Sequence, residues 1–216
     1  MTRSLRPALL GLALAALSGC TVPYAVGTTA RTTPTGAVEP HATFQYASHD
    51  RARDDDEDES PTFSLNNGAR LGLDERSDAG FTIVGLNGAV VSYGRRLTGP
   101  AGTDEGVTAH VGLGVLGGLR HVHAEASLVA SGAPFGQVAP YGGIRAQTVQ
   151  PFADADAVAA SAVGAFAGAR LGWPDLAITP ELGVFYSPGV TRFESDWVVA
   201  PSVTLRGDRL LRAIGL

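Results

Sequence analysis

Residues 107–130, VTAHVGLGVLGGLRHVHAEASLVA, are written in period two. Val107, Ala109, Val111, Leu113 and Val115 are apolar, and Thr108, His110, Gly112 and Gly114 alternate with them. Past Gly117-Gly118 the alternation resumes, with Val122, Ala124, Ala126, Leu128 and Ala130 on one face and His121, His123, Glu125 and Ser127 on the other. Successive side chains of a β-strand point to opposite faces, so this spacing predicts two strands, each with one greasy side. Helical spacing is absent until the last turn of the chain.

The same design recurs on either side. Val163, Ala165, Ala167, Ala169 and Leu171 oppose Gly164, Gly168 and Arg170, and Ile178, Leu182, Val184 and Tyr186 oppose Thr179, Glu181 and Gly183. From Phe63 onward such segments are separated by Gly, Pro and Asp clusters about every ten residues, the rhythm of an all-β fold. Alternation alone fits a soluble sandwich as well as a membrane barrel, and the polar face separates them. A soluble sheet would present many Lys, Glu and Thr to water, whereas these faces carry Gly72, Gly112, Gly114, Gly164 and Gly168 between isolated charges. Small residues and sparse charges suit a narrow barrel interior, where side chains interdigitate and pair.

Strands of this length, tilted by about 45°, cover the roughly 25 Å apolar band of an outer-membrane barrel. Phe81, Tyr93, Tyr141 and Trp173 fall near one set of strand ends, and Phe63, Phe152, Tyr186 and Trp197 near the other, as two interfacial aromatic belts would. In GARLGLDERSDAGF (68–81) and APYGGIRAQ (139–147) the chain resembles small outer-membrane β-barrel proteins. The resemblance implies an all-β, antiparallel up-and-down β-barrel over residues 41–206. Such barrels commonly end on an aromatic residue, but this chain continues as GDRLLRAIGL over residues 207–216, a tail with the pattern of a short amphipathic helix. The echo of ARLGLDERSD (69–78) in ARLGWPDL (169–176) places two similar turns on one side of the membrane. A hairpin at Asn87-Gly88 satisfies that parity and yields ten strands, with eight as the alternative. Ten strands put both ends of the chain on the periplasmic side, where a lipid anchor is expected.

The front of the chain explains its single cysteine. Arg3 and Arg6 precede an apolar run, Ala8 to Leu17, too short to span a bilayer, and Ser18 and Gly19 lead into Cys20. Leu17-Ser18-Gly19-Cys20 resembles the lipobox of bacterial lipoproteins. The resemblance implies removal of residues 1–19 as a signal peptide, palmitate-type acylation of Cys20 and, with Thr21 following, an outer-membrane address. Several acyl chains at about 0.8 kcal/mol per buried methylene make a lasting lipid anchor. Residues 20–40, rich in Thr, Gly, Ala and Pro, are expected to form a flexible tether. Asp54 to Glu59 are six consecutive acids and read as a solvated loop, without the glycine and spacing of a calcium loop.

The chain contains no lysine, so all 16 basic residues are arginine, and loss of Arg3 and Arg6 leaves 14 against 21 acids. That balance disfavours a nucleic-acid partner. The partners expected are outer-membrane lipid, through Cys20, and an envelope or extracellular protein, with the chain itself a monomer. No phosphate loop, dinucleotide fingerprint, Gly-x-Ser-x-Gly elbow or paired-cysteine motif is present, and no cofactor is expected.

Chemistry is confined to the polar faces. A two-residue turn at Gly117-Gly118 would set His110 across from Glu125 and Gly112 across from His123, clustering His110, His123 and Glu125, with His121 nearby. Zinc accepts such ligands, yet a buried His-Glu hydrogen bond satisfies them as well, and no metal is assigned. Ser127 on the same face raises a lipid hydrolase with Ser as nucleophile and His as base, but HVHAEAS reproduces no motif of that class. Arg70, Arg145, Arg170 and Arg206 are expected to face inward with Glu125 and Glu181, as side chains filling the barrel rather than lining a pore. The function this supports is a non-catalytic outer-membrane lipoprotein with a structural or surface-interaction role. The alternatives are a lipid-tethered periplasmic β-sandwich or lipocalin-like module for a small hydrophobic ligand, and a barrel hydrolase acting on lipids.

Overall fold

The computed structural model describes residues 22–48, 61–152, 159–173, 175–187, 196–207 and 209. Among them lie ten strands: β1 (Val38–Ala47), β2 (Thr62–Gly72), β3 (Ser77–Val84), β4 (Gly88–Thr98), β5 (Gly106–Leu116), β6 (His121–Ser131), β7 (Val138–Pro151), β8 (Ala160–Trp173), β9 (Leu176–Ser187) and β10 (Asp196–Arg206). Each pairs antiparallel with its neighbours in sequence, and β1 with β10 closes the barrel. It is an up-and-down barrel. Closure gives every strand two partners and leaves no unpaired sheet edge.

The alternation resolves outward-apolar and inward-polar. Val111 is 53%, Leu128 41% and Val184 39% exposed, while Arg170 is 7% and His123 0% exposed. Ile144, Leu182, Phe44 and Val91 continue the outward surface around the barrel. Glycine makes the interior possible: a Cβ on Gly94 would lie 2.6 Å from Arg70 Nη2 and Asp78 Oδ1 and 2.7 Å from His110 Nδ1. A larger residue there would occupy the space of the ion pair.

One rim, the loop end, carries connections 48–61, 85–87, 117–120, 152–159 and 188–195; the other, the turn end, carries 73–76, 99–105, 132–137 and 174–175. The two echoing turns, at 73–76 and 174–175, do share a rim. The β3–β4 hairpin is present, with its turn at residues 85–87 and Gly88 paired to Val84.

Three expectations change. The β5–β6 turn has four residues, with Gly117, Gly118 and also Leu119 at positive φ. Leu116 therefore pairs with His121, and His110 faces Ser127 while Glu125 faces Gly112. A slip of two keeps every side chain on its face but changes its neighbours, so His110 and Glu125 are not directly opposite. Tyr141, placed in an aromatic belt by the sequence, is buried and hydrogen-bonds to Glu181 inside the barrel. Of the aromatics expected at the loop end, Phe63 packs against Tyr46 and Tyr186 against Trp197, at ring centroid distances of 5.0 and 5.4 Å.

The largest correction concerns the tether. Residues 22–33 run in extended form through the lumen from the loop end to the turn end, and nearly all are buried. The chain turns at residues 34–37, where Gly36 N–H donates to Gly72 O and Ala37 N–H to Pro34 O, and enters β1. The described chain thus begins at the loop end and leaves β10 at the turn end, so its two ends do not share a side. Small residues that suit a linker also suit a narrow lumen, and composition cannot separate the two. Cys20, the acidic run Asp54 to Glu59 and the expected tail helix over 210–216 lie outside the described residues.

Candidate functional site

The lumen is the one place where this fold gathers polar side chains around a common object, and that object is the chain's own segment 22–33. An extended segment without a strand partner leaves its N–H and C=O groups to be satisfied by other means. Barrel side chains supply them.

At the loop end Gln45 of β1 accepts from Tyr24 and Ala25 N–H, each at 2.8 Å, and donates to Val22 O at 3.0 Å. Around this amide the lumen is apolar: Val22 and Tyr24 pack with Ala47, Val84, Leu116 and Phe185. The Tyr24 and Phe185 rings lie 5.0 Å apart.

Farther in, Glu181 of β9 accepts from Val26 and Gly27 N–H at 2.9 Å each and from Tyr141 O–H at 2.7 Å. Arg145 of β7 donates to Pro23 O at 2.7 Å and Ala25 O at 3.2 Å, and Arg206 of β10 to Gly27 O at 3.0 Å. Gly27 has φ +58°, and a Cβ on it would lie 2.1 Å from Thr204 Oγ1. Only glycine passes this point without strain.

At the turn end Ala30 N–H donates to Ser131 Oγ at 2.7 Å, and Ala30 O accepts from Thr108 Oγ1 at 2.5 Å and Arg96 Nη1 at 3.3 Å. Thr29 O–H donates to Asp104 at 2.6 Å, a carboxylate that also pairs with Arg170 at 3.4 Å. Thr33 N–H donates to Asp78 at 3.0 Å.

Every residue anticipated for the polar interior faces inward, in separate groups. Arg70 forms a two-point ion pair with Asp78 and also bonds His110 Nδ1 at 3.0 Å, so that nitrogen accepts. His123 Nε2 lies 2.8 Å from Glu125, which also pairs with Arg145. Arg206 lies 3.9 Å from Glu39. His121 is buried near the loop end with its Nδ1 unpartnered. The expected joining of His110 with His123 and Glu125 is replaced by two arginine-centred networks. Among the described residues no group of three His, Cys, Asp or Glu is placed to hold a metal.

Among the described residues no hydrogen bond joins Ser127 to a histidine: His123 Nε2 is engaged by Glu125 and its Nδ1 has no partner, and His110, which faces Ser127, gives its Nδ1 to Arg70 while its Nε2 has no partner. A lumenal cavity of about 80 Å³ is lined by Arg70, His41, His110, Glu125, Arg145 and Arg206 among others. That is too small and too polar for a hydrophobic ligand site, which runs to about 300–1,000 Å³.

The sequence reading missed Arg96, Asp78 and Tyr141. Arg96 follows Val90, Ser92 and Gly94 on the inward phase of β4 and is fully buried, bonded to Thr98 O at 3.2 Å and Thr103 O at 2.8 Å. The period-two rule would have found it. Asp78 is visible only through its partner, because no pattern announces an ion pair eight residues apart around a turn.

No family model matches the chain, and no curated protein does. Among solved structures, designed transmembrane β-barrels align with 15% identity over 81% of this chain and 98% of theirs, at a TM-score of 0.34. The N-terminal β-barrel domain of Pseudomonas aeruginosa OprF aligns with 9% identity over 81% and 99%, at 0.32. The Yersinia pestis outer membrane protein Ail, determined in a phospholipid bilayer nanodisc, aligns with 14% identity over 79% and 99%, also at 0.32.

Proposed function

We propose that the chain is a membrane-spanning outer-membrane lipoprotein, acylated at Cys20, whose sealed barrel serves as a non-catalytic structural or surface-interaction module. The observation that carries this reading is the coupling of an apolar exterior to a lumen filled by the chain itself. Exposed apolar surface on a soluble monomer is held to patches of about 300–600 Å², whereas here it surrounds a closed barrel. Hydrocarbon is the solvent that removes its cost.

The lumen argues against transport. Main-chain and side-chain bonds tie residues 22–33 to eight of the ten strands, so the segment is a fixed filling. A lipocalin-like role needs an empty apolar calyx, and the interior is charged and occupied.

Unheated and boiled samples compared on a detergent gel test the barrel, which is expected to migrate faster before heating. Metabolic labelling with an acyl precursor tests Cys20; the label is expected on the wild type and absent from Cys20→Ala. Steady single-channel conductance of the wild type in planar bilayers would contradict the sealed lumen. Recovery of the unlipidated variant in the soluble fraction would contradict the membrane-spanning barrel.

A further inference from the structure

We infer that the N-terminal segment is threaded through the barrel and emerges at the loop end on the cell surface, carrying its acyl chains to the outer leaflet. This rests on the membrane reading above and adds a direction to it. The observation is positional: Val22 and Tyr24 pack with Ala47, Leu116 and Phe185 at the loop end, whereas Thr33 reaches Asp78 and Thr32 O–H reaches Glu75 O at the turn end. Residue 20 is two residues ahead of Val22, at most about 7 Å of extended chain. It cannot return through a lumen already filled by residues 22–33.

Which rim faces outward follows from the connections. Outer-membrane barrels have short periplasmic turns and longer extracellular loops. The three longest connections, 48–61, 152–159 and 188–195, are all at the loop end, beside the short 85–87 and 117–120, while no connection at the turn end, 73–76, 99–105, 132–137 or 174–175, is as long as those three.

A threaded chain needs a way in, and the closing seam offers one. The ladder between β1 and β10 pairs His41 with Arg206 through Gln45 with Ser202 and is continued by Gly207 N–H to Pro40 O and Ser48 N–H to Val199 O. Segment 22–33 joins β1 directly and bonds to strands on every side of the lumen. The barrel therefore closes around it, with the β1–β10 seam, which joins the first strand to the last, as the final joint. Threading acyl chains through a finished lumen is unnecessary.

The absence of lysine provides the test. In the full-length acylated protein, single substitutions Thr21→Lys, Ser60→Lys and Arg209→Lys each introduce the only lysine, to be labelled on whole cells with a membrane-impermeant amine reagent. Thr21→Lys and Ser60→Lys are expected to label on intact cells as fully as after permeabilisation, and Arg209→Lys only after permeabilisation. Labelling of Ser60→Lys but not Thr21→Lys on intact cells would overturn threading and leave the barrel reading in place. Labelling of Arg209→Lys alone would overturn the surface direction. An independent check avoids the N-terminus: Ala30→Cys with Ser131→Cys should be joined by a disulfide in the oxidising envelope, seen as a reductant-sensitive mobility shift, since acylated Cys20 has no free thiol. Failure to cross-link in a heat-modifiable, membrane-embedded protein would count against threading and not against the barrel.

Discussion

The two ends of the threaded segment are held by different physics. At the loop end Tyr24 and Val22 are buried among aliphatic side chains and Phe185, with the Gln45 amide and the Arg145 guanidinium reading the main chain. From Val26 to Thr33 the segment is held through its backbone by Glu181, Arg206, Arg96, Thr108, Ser131 and Asp78. The apolar end excludes water from the mouth, and the polar end fixes register. A hydrophobic contact tolerates sliding, whereas a carboxylate aimed at two adjacent N–H groups does not.

The sharpest way to break this contrast is Glu181→Ala. It strands two backbone donors and the Tyr141 hydroxyl inside the lumen. Leaving buried donors unpartnered costs about 1–3 kcal/mol each, so a large drop is expected in the temperature at which the compact gel form disappears. Tyr24→Ala should follow at about 3 kcal/mol, from lost ring burial and the cavity left behind. Tyr24→Leu should recover the part of that loss that comes from apolar volume. If Tyr24→Ala proves the more damaging of the two, the polar register is not the main hold.

Thr29→Val removes one hydroxyl while Asp104 keeps Arg170, and about 1 kcal/mol is expected from the same gel-temperature measurement. The smallest effect belongs outside the lumen, at the β2–β3 turn. Asp74 accepts from Ser77 O–H and Arg76 N–H, and these bonds hold its carboxyl below the usual aspartate range. A depressed folded-state pKa contributes stability above the ordinary value, lost as pH falls through the folded one. Asp74→Ala should therefore narrow its stability gap to wild type only below the ordinary aspartate pKa, measured by unfolding at successive acid pH values.

The barrel was legible because its rule is local. Val111, Leu113 and Leu128 declare one side of a sheet, and His110, His123 and Arg170 the other, without knowledge of any distant contact. Interior side chains were legible to the same degree, and Arg96 escaped only because the phase of β4 was not followed to its end. Their partners were not. Leu119 in the left-handed region lengthens one turn by two residues and moves His110 from Glu125 to Ser127, a change no alternation registers. Tyr141 could sit at an interface or bond a carboxylate, and only Glu181 opposite decides.

What the amino-acid order determined by itself is a series of two-faced strands with small, sparsely charged inner faces, because side-chain direction in a strand depends on position alone. What only the tertiary structure decided is the content of the space those strands enclose. Residues 22–33 carry no pattern that separates a linker from a filling. Their place is set by buried Gln45, Asp78, Arg145, Glu181 and Arg206, whose polar atoms need partners that the closed barrel walls do not fully provide.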